Sequence, residues 1–309
     1  MKTRTRRWLF VYLLALGLSH GVRVLHTPAA PVRPEDQFLE VPEVGGGTGA
    51  RGLVKLAYLD DLPAAGSSSD AAPVVLIHGS PGDKSNFDGV LPELATHRRV
   101  LVPDLPGFGS SSRKVPDYSI RAHGRYVLEM LDALGIEEAH FVGFSLGGGV
   151  VLSIQDLAPQ RVRSLSLVAA TGVQELELLG DYHLNHALHG LQLAGLWLLR
   201  EGVPHFGWLD DTVLGVPYAR NFYDTDQRPL RKVLEQYDGP MLIVHGRNDV
   251  LVPIAAAREH HRLVPQSELQ VLKRNHFFVF TRGGDLSGRL EGFFERVEAG
   301  EALTRNQAD

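Results

Sequence analysis

The chain has 309 residues, 44% of them apolar and 22% charged, with a formal net charge of −5. That balance suits an ordinary folded domain, excludes a largely disordered chain and argues against nucleic acid as a partner. There is no cysteine, which excludes disulfides, thiol nucleophiles and thiolate metal sites.

The first element is an N-terminal segment. Lys2, Arg4, Arg6 and Arg7 precede an apolar run from Trp8 to Leu18, the pattern of a basic region followed by the hydrophobic core of an export signal. Ser19 and Gly21 are small enough for cleavage, and an extension to Leu25 would give a short membrane anchor. Residues 1–25 are therefore expected to be a signal peptide or membrane anchor. The protein is expected to be exported or anchored (in a bacterium, at the periplasm or cell envelope) rather than cytoplasmic, with membrane association through this segment. Residues 26–51 hold Pro28, Pro31, Pro34 and Pro42 and then Gly45, Gly46, Gly47 and Gly49. They read as a linker, and the folded domain is expected to start near Gly52 and to end near residue 298, before a tail at 299–309. The serine run 67–69 reads as a loop tip.

From there, short apolar runs alternate with helical patterns. Strands are expected at Val74–Ile77, Arg99–Val102, Ala139–Val142, Leu165–Val168, Met241–Val244 and Leu269–Leu272. Continuous apolar runs of this length suit strands covered on both faces of a parallel sheet. Helices are expected at Ser119–Leu134, Gly147–Leu157, Ala255–Leu263 and Asp285–Val297. This alternation predicts an α/β fold with functional groups at the carboxyl ends of strands. Residues 171–238 break the rhythm and are too long for a plain loop, so they read as an inserted, mostly helical cap. Its apolar run Leu191–Leu199 either packs the cap onto the core or lines a pocket for an acyl chain.

Four segments carry chemistry. His78-Gly79-Ser80-Pro81-Gly82 directly follows the first of these strands. Gly143-Phe144-Ser145-Leu146-Gly147 joins a strand to a helix, the context in which G-x-S-x-G forms a tight turn that lifts a serine hydroxyl clear of the sheet. Glycine is needed on either side because side chains there would meet neighbouring backbone. Ser145 is the candidate nucleophile. Asp249, in the loop after the strand Met241–Val244, is the candidate orienting acid, against the alternative of a turn aspartate. His276, a few residues past the next strand, is the candidate base among 14 histidines, since it alone combines chain order, strand position and spacing. His78 and His245, before glycines at strand ends, read as structural; His260 and His261, late in a helix, read as surface residues. The backbone N–H groups of Leu146 and Ser80 are the candidate pair for a developing oxyanion.

HGSPG at 78–82, DLPGFGSS at 104–111, GFSLGG at 143–148, HGRNDVLVP at 245–253 and the His276 segment, in this order, resemble the α/β-hydrolase superfamily over residues 52–298. Within it the chain looks like the cap-bearing serine hydrolases, which include esterases, lipases and carbon–carbon bond hydrolases. The resemblance implies a mostly parallel central sheet flanked by helices, with a helical cap between strands 6 and 7. It implies a triad of Ser145, Asp249 and His276, an oxyanion hole at Ser80 and Leu146, a structural role for Asp104, and no cofactor or metal. Serine at 145 separates the chain from relatives with an aspartate nucleophile. The family's histidine usually follows glycine, whereas Asn275 stands here. The implied reaction is hydrolysis of a small-molecule carboxylic ester, lipid-like or hydrophobic. A carbon–carbon or amide hydrolase with the same triad, and a weakly catalytic ligand-binding homologue, are the alternatives.

Overall fold

A computed structural model describes residues 3–25, 32–45, 52–63, 71–210 and 215–301. Eight strands form one sheet: β1 (Gln37–Pro42), β2 (Leu53–Asp61), β3 (Val74–Ile77), β4 (Val100–Pro103), β5 (Ala139–Phe144), β6 (Val162–Val168), β7 (Met241–Gly246) and β8 (Glu268–Leu272). Their spatial order is β1-β2-β4-β3-β5-β6-β7-β8, with β2 antiparallel to both of its neighbours, β1 and β4, and the other neighbouring pairs parallel. The helices are α1 (Thr3–Leu25), α2 (Leu91–Leu94), α3 (Ile120–Ala133), α4 (Leu146–Leu157), α5 (Tyr182–Gly202), α6 (Val216–Asp224), α7 (Arg228–Gln236), α8 (Ile254–Leu263), α9 (Phe278–Thr281) and α10 (Gly283–Glu298).

The buried strands alternate between two apolar layers. Val75, Ile77, Phe141, Leu165, Leu167 and Ile243 face the side covered by α3, α4, α7 and α8. Val74, Leu76, Val142, Val168, Leu242 and Val244 face α2, α9 and α10. Because both faces are covered, β3, β4 and the start of β7 read as unbroken apolar runs, while β5 and β6 bury His140, Ser164 and Ser166 among apolar residues. Ser119 caps α3, its hydroxyl accepting from the Ala122 N–H at 3.1 Å, which fixes where that helix begins.

Three features differ from the sequence reading. β1 falls inside the stretch read as linker. It buries only Val41 fully, with Leu39 partly packed on the core, and pairs residue for residue with β2, so it leans on backbone hydrogen bonds and its apolar signature is short; the sheet thus begins before Gly52. Residues 26–31, 46–51, 64–70 (with the serine run) and 302–309 lie outside the described residues. At the far end of the insert, α7 sends Leu230 and Leu234 into the core, so the part standing off the sheet ends before it, near Thr225. Finally, α1 is one continuous helix of 23 residues, about 35 Å long, which is long and apolar enough to cross a membrane.

Asp104 lies in the loop after β4, fully buried. Its carboxylate accepts from the Lys84 N–H at 2.8 Å, the Lys84 Nζ at 2.6 Å and the Ser110 N–H at 2.8 Å. Lys84 Nζ also lies 3.0 Å from Asp36. A buried cation that loses one partner is costly. Asp104→Ala is expected to lower unfolding stability by about 3–5 kcal/mol, read as a lower denaturant midpoint at unchanged slope.

Candidate active site

Ser145 lies between β5 and α4 with φ 53° and ψ −120°, a conformation that side chains rarely adopt. The turn is held by saturating its backbone. The Ser145 N–H donates to the Val168 carbonyl at 3.0 Å, and its own carbonyl accepts from the Gly148 and Thr171 N–H groups, each at 3.0 Å. A Cβ at Gly147 would overlap the Ile77 carbonyl, and one at Gly143 would overlap the Gly147 carbonyl. The sequence-level reason for those two glycines is thus met by named backbone atoms.

The loop after β3 runs against this turn. A Cβ on Gly79 would come within 2.9 Å of the Ser145 Cβ, so only glycine lets the two segments approach so closely. His78 fastens the loop: its Nε2 accepts from the Leu105 N–H at 3.0 Å and its Nδ1 donates to the Gly79 carbonyl at 2.7 Å. Burial pushes the His78 pKa down, consistent with a neutral ring that holds both bonds. Ser80, Leu146, Ser145 and His276 line one cavity. Among the described residues, neither the Ser80 nor the Leu146 N–H donates to a protein acceptor, and the Leu146 group opens the first turn of α4, where the helix dipole favours negative charge.

Asp249 and His276 meet across the loops after β7 and β8. His276 Nδ1 lies 2.7 Å from Asp249 Oδ2, and both residues are buried. A carboxylate only accepts, so Nδ1 donates to it, which in the neutral tautomer leaves the lone pair on Nε2. The second oxygen, Oδ1, accepts from the Leu251 and Val252 N–H groups, each at 2.9 Å. Burial opposes ionisation of Asp249, but the bonds from His276, Val252 and Leu251 outweigh it and hold the carboxyl below its ordinary pKa. Asn275, where the family usually has glycine, takes up the following turn by accepting from the Phe277 N–H at 3.1 Å. The Phe144 ring, beside Ser145 in the chain, packs 5.0 Å from the imidazole. All five residues singled out in the sequence therefore converge on one place.

His78 and His245 are fully buried, in keeping with a structural reading. His260 is not the surface residue expected of it. It is fully buried in α8, and burial pushes its pKa down to about 3. The helix carries it on the face that packs toward the core, alongside Ala256, Ala257 and Leu263.

The cavity has a volume of about 280 Å³. Its wall is mostly apolar, with Val173, Leu176, Leu178, Phe222, Leu251 and Ala256, and among the described residues no Lys or Arg lines it. The run Leu191–Leu199 neither lines it nor packs onto the core: Leu191, Trp197, Leu198 and Leu199 are exposed. A helical apolar pattern does not reveal which surface it faces, and the sequence reading assigned it to the wrong one.

Glu177 is a cavity residue that sequence reasoning missed, since it is one acid in a stretch without periodicity. It accepts a short hydrogen bond from Gln227, and burial pushes its pKa up to about 7. A carboxyl whose folded pKa exceeds its unfolded one favours folding below the unfolded value. That advantage is lost as pH rises through the folded pKa. From pH 5 to pH 8 the wild type should therefore lose about 1–3 kcal/mol of stability relative to Glu177→Gln, measured as diverging urea midpoints.

The model for the alpha/beta hydrolase fold matches residues 72–191. The 2-hydroxy-6-oxo-2,4-heptadienoate hydrolase of Pseudomonas putida is 30% identical over 227 residues, covering 65% of this chain and 81% of that protein. The dihydrolipoyllysine-residue acetyltransferase component of an acetoin cleaving system, also from Pseudomonas putida, is 35% identical over 217 residues. That match covers 65% of this chain but only 57% of the longer relative. Among solved structures, a malate-bound thermophilic esterase from Thermogutta terrifontis superposes with a TM-score of 0.67 at 18% identity, covering 84% of this chain and 99% of the esterase.

Proposed function

The chain belongs to the α/β-hydrolase family, and within it we propose a serine hydrolase that cleaves hydrophobic, uncharged carboxylic esters through an acyl-enzyme on Ser145. His276 Nε2 takes the Ser145 proton as Oγ attacks the ester carbonyl. The N–H groups of Ser80 and Leu146 hold the oxyanion, and Asp249 keeps the imidazole oriented and stabilises its protonated form. The protonated imidazole gives its proton to the leaving alkoxide, which departs as the alcohol. Water, deprotonated by His276, then attacks the acyl group and releases the acid, and the proton returns to Ser145. Residues 3–25 carry the protein to the cell envelope, as a signal or an anchor.

The single observation that carries the substrate class is the cavity wall. It is apolar, lacks a Lys or Arg among its described lining residues and contains Glu177. A dienoate substrate, such as the one in the name of the Pseudomonas putida relative, brings a carboxylate that would meet neither cation there and would be repelled by ionised Glu177. Carbon–carbon bond hydrolysis remains the second reading because that relative covers most of the domain. The test is kcat/KM on p-nitrophenyl butyrate and octanoate against 2-hydroxy-6-oxo-2,4-heptadienoate. The esters are expected to be the better substrates by at least about tenfold, and the reverse order would sink the ester assignment.

A further inference from the structure

One apolar surface is used neither by the cavity nor by the core. Along α5, Leu184, Leu188, Leu191 and Leu198 are all exposed, at 58%, 42%, 73% and 63% of their full area. Their spacings of four, three and seven place them on one side of the helix. That side leads toward Gly202, whose carbonyl accepts a short hydrogen bond from the Tyr12 hydroxyl of α1. Trp197, Phe206 and Trp208, around the end of α5, are exposed as well.

α1 is fastened at this end. Its fully buried Ser19 accepts from the His205 and Phe206 N–H groups at 3.0 and 2.7 Å. Arg23 donates to Asp210 at 2.7 Å and to the Arg200 carbonyl at 2.7 Å, and His20 lies 2.8 Å from Glu201. The rest of α1, from Trp8 to Leu14, exposes its apolar side chains all round. Among the described residues the partners of α1 are Tyr12 and the segment from Ser19 to Arg23, and its exposed apolar side chains between Trp8 and Leu14 need an apolar medium. At the fastened end, Arg113 and Lys114 are exposed and line a cleft of about 570 Å³ whose other charged residues, Arg23 and Arg200, are paired with its acids Glu201 and Asp210. Neither Arg113 nor Lys114 has an acidic partner among the described residues.

We propose that α1 is retained as an anchor and that the α5 stripe with the Trp197–Trp208 end of the cap rests in the surface of an anionic phospholipid bilayer, Arg113 and Lys114 facing its phosphates. The continuity of the α5 stripe with a helix long enough to span commits the occupant to lipid, and these two cations commit it to an anionic surface. Arg4, Arg6 and Arg7 cap the opposite end of α1, the arrangement of a span whose basic end stays on the cytoplasmic side. Seated in this way, the cap presents the active site to esters dissolved in the membrane. The inference rests on reading residues 3–25 as an envelope-targeting segment.

The three tryptophans, Trp8, Trp197 and Trp208, supply the test. In full-length Trp8→Phe protein all tryptophan emission comes from the cap. Reconstituted into phosphatidylcholine–phosphatidylglycerol vesicles with brominated acyl chains, this protein is expected to show blue-shifted and strongly quenched emission. Leu191→Glu/Leu198→Glu and, separately, Arg113→Glu/Lys114→Glu should recover emission while the protein still sediments with the vesicles and still cleaves a soluble ester. Unquenched emission from vesicle-bound Trp8→Phe protein overturns the cap seat and leaves the anchor standing. An intact mass of the membrane-derived protein lacking residues 1–25 overturns retention of α1. Quenching with no ester hydrolysis in any variant supports the seat and counts against the hydrolase reading instead.

Discussion

Ser145→Ala is expected to abolish covalent labelling by a fluorophosphonate probe and to lower kcat/KM for a p-nitrophenyl ester by about 10⁵- to 10⁶-fold. The size follows from what is removed. Without Oγ no acyl-enzyme forms, and only binding and the two N–H donors remain to act on a water molecule. Alanine keeps the Cβ and the backbone bonds that hold the turn, so circular dichroism and the melting curve should be nearly unchanged. Ser145→Gly gives an independent readout of the same turn. At φ 53° and ψ −120° glycine relieves strain, so this variant should be as inactive as alanine but more stable by about 1 kcal/mol. Labelling that survives in Ser145→Ala would place the nucleophile elsewhere.

These effects bear on residues visible in the sequence, and the reason is physical. The elbow was legible because backbone segments that nearly touch exclude side chains: the Ile77 carbonyl and the Ser145 Cβ leave no room at Gly147 and Gly79. β3, β4 and β7 were legible because burial on both faces forces apolar runs, and β5, β6 and β8 because apolar residues still outnumber His140, Ser166 and Gln270 in them. Asp249 and His276 followed from chain order once those strands were set, and the structure brings the pair to 2.7 Å. β1 was not legible, since an edge strand held by backbone bonds needs little apolar sequence. The outward stripe on α5 was misassigned because a 3.6-residue period is the same whether the helix faces a core, a pocket or lipid. His260 and Glu177 were misread or missed for a related cause. Burial of one polar side chain depends on which face its helix or loop turns inward, and the local sequence does not record that.

The second large effect concerns Asp249. Asp249→Asn is expected to lower kcat by about 10⁴-fold with little change in KM, and its second oxygen supplies the reason. Oδ1 accepts from the Leu251 and Val252 N–H groups, so an amide at this position keeps its oxygen there and turns its NH₂ toward His276. Nδ1 must then accept rather than donate, which moves the imidazole proton to Nε2. A protonated Nε2 in the neutral ring has no lone pair for the Ser145 proton, and fluorophosphonate labelling should slow in parallel with turnover. The pH dependence of stability changes as well. The Asp249 carboxyl is held below its unfolded pKa, so its contribution is present above the unfolded value and is lost as pH falls through the folded one. The amide of the variant does not titrate. Under mild acid the wild type should therefore lose stability more steeply than the variant, and equal slopes in urea titrations across that range would remove the His276–Asp249 bond from the explanation.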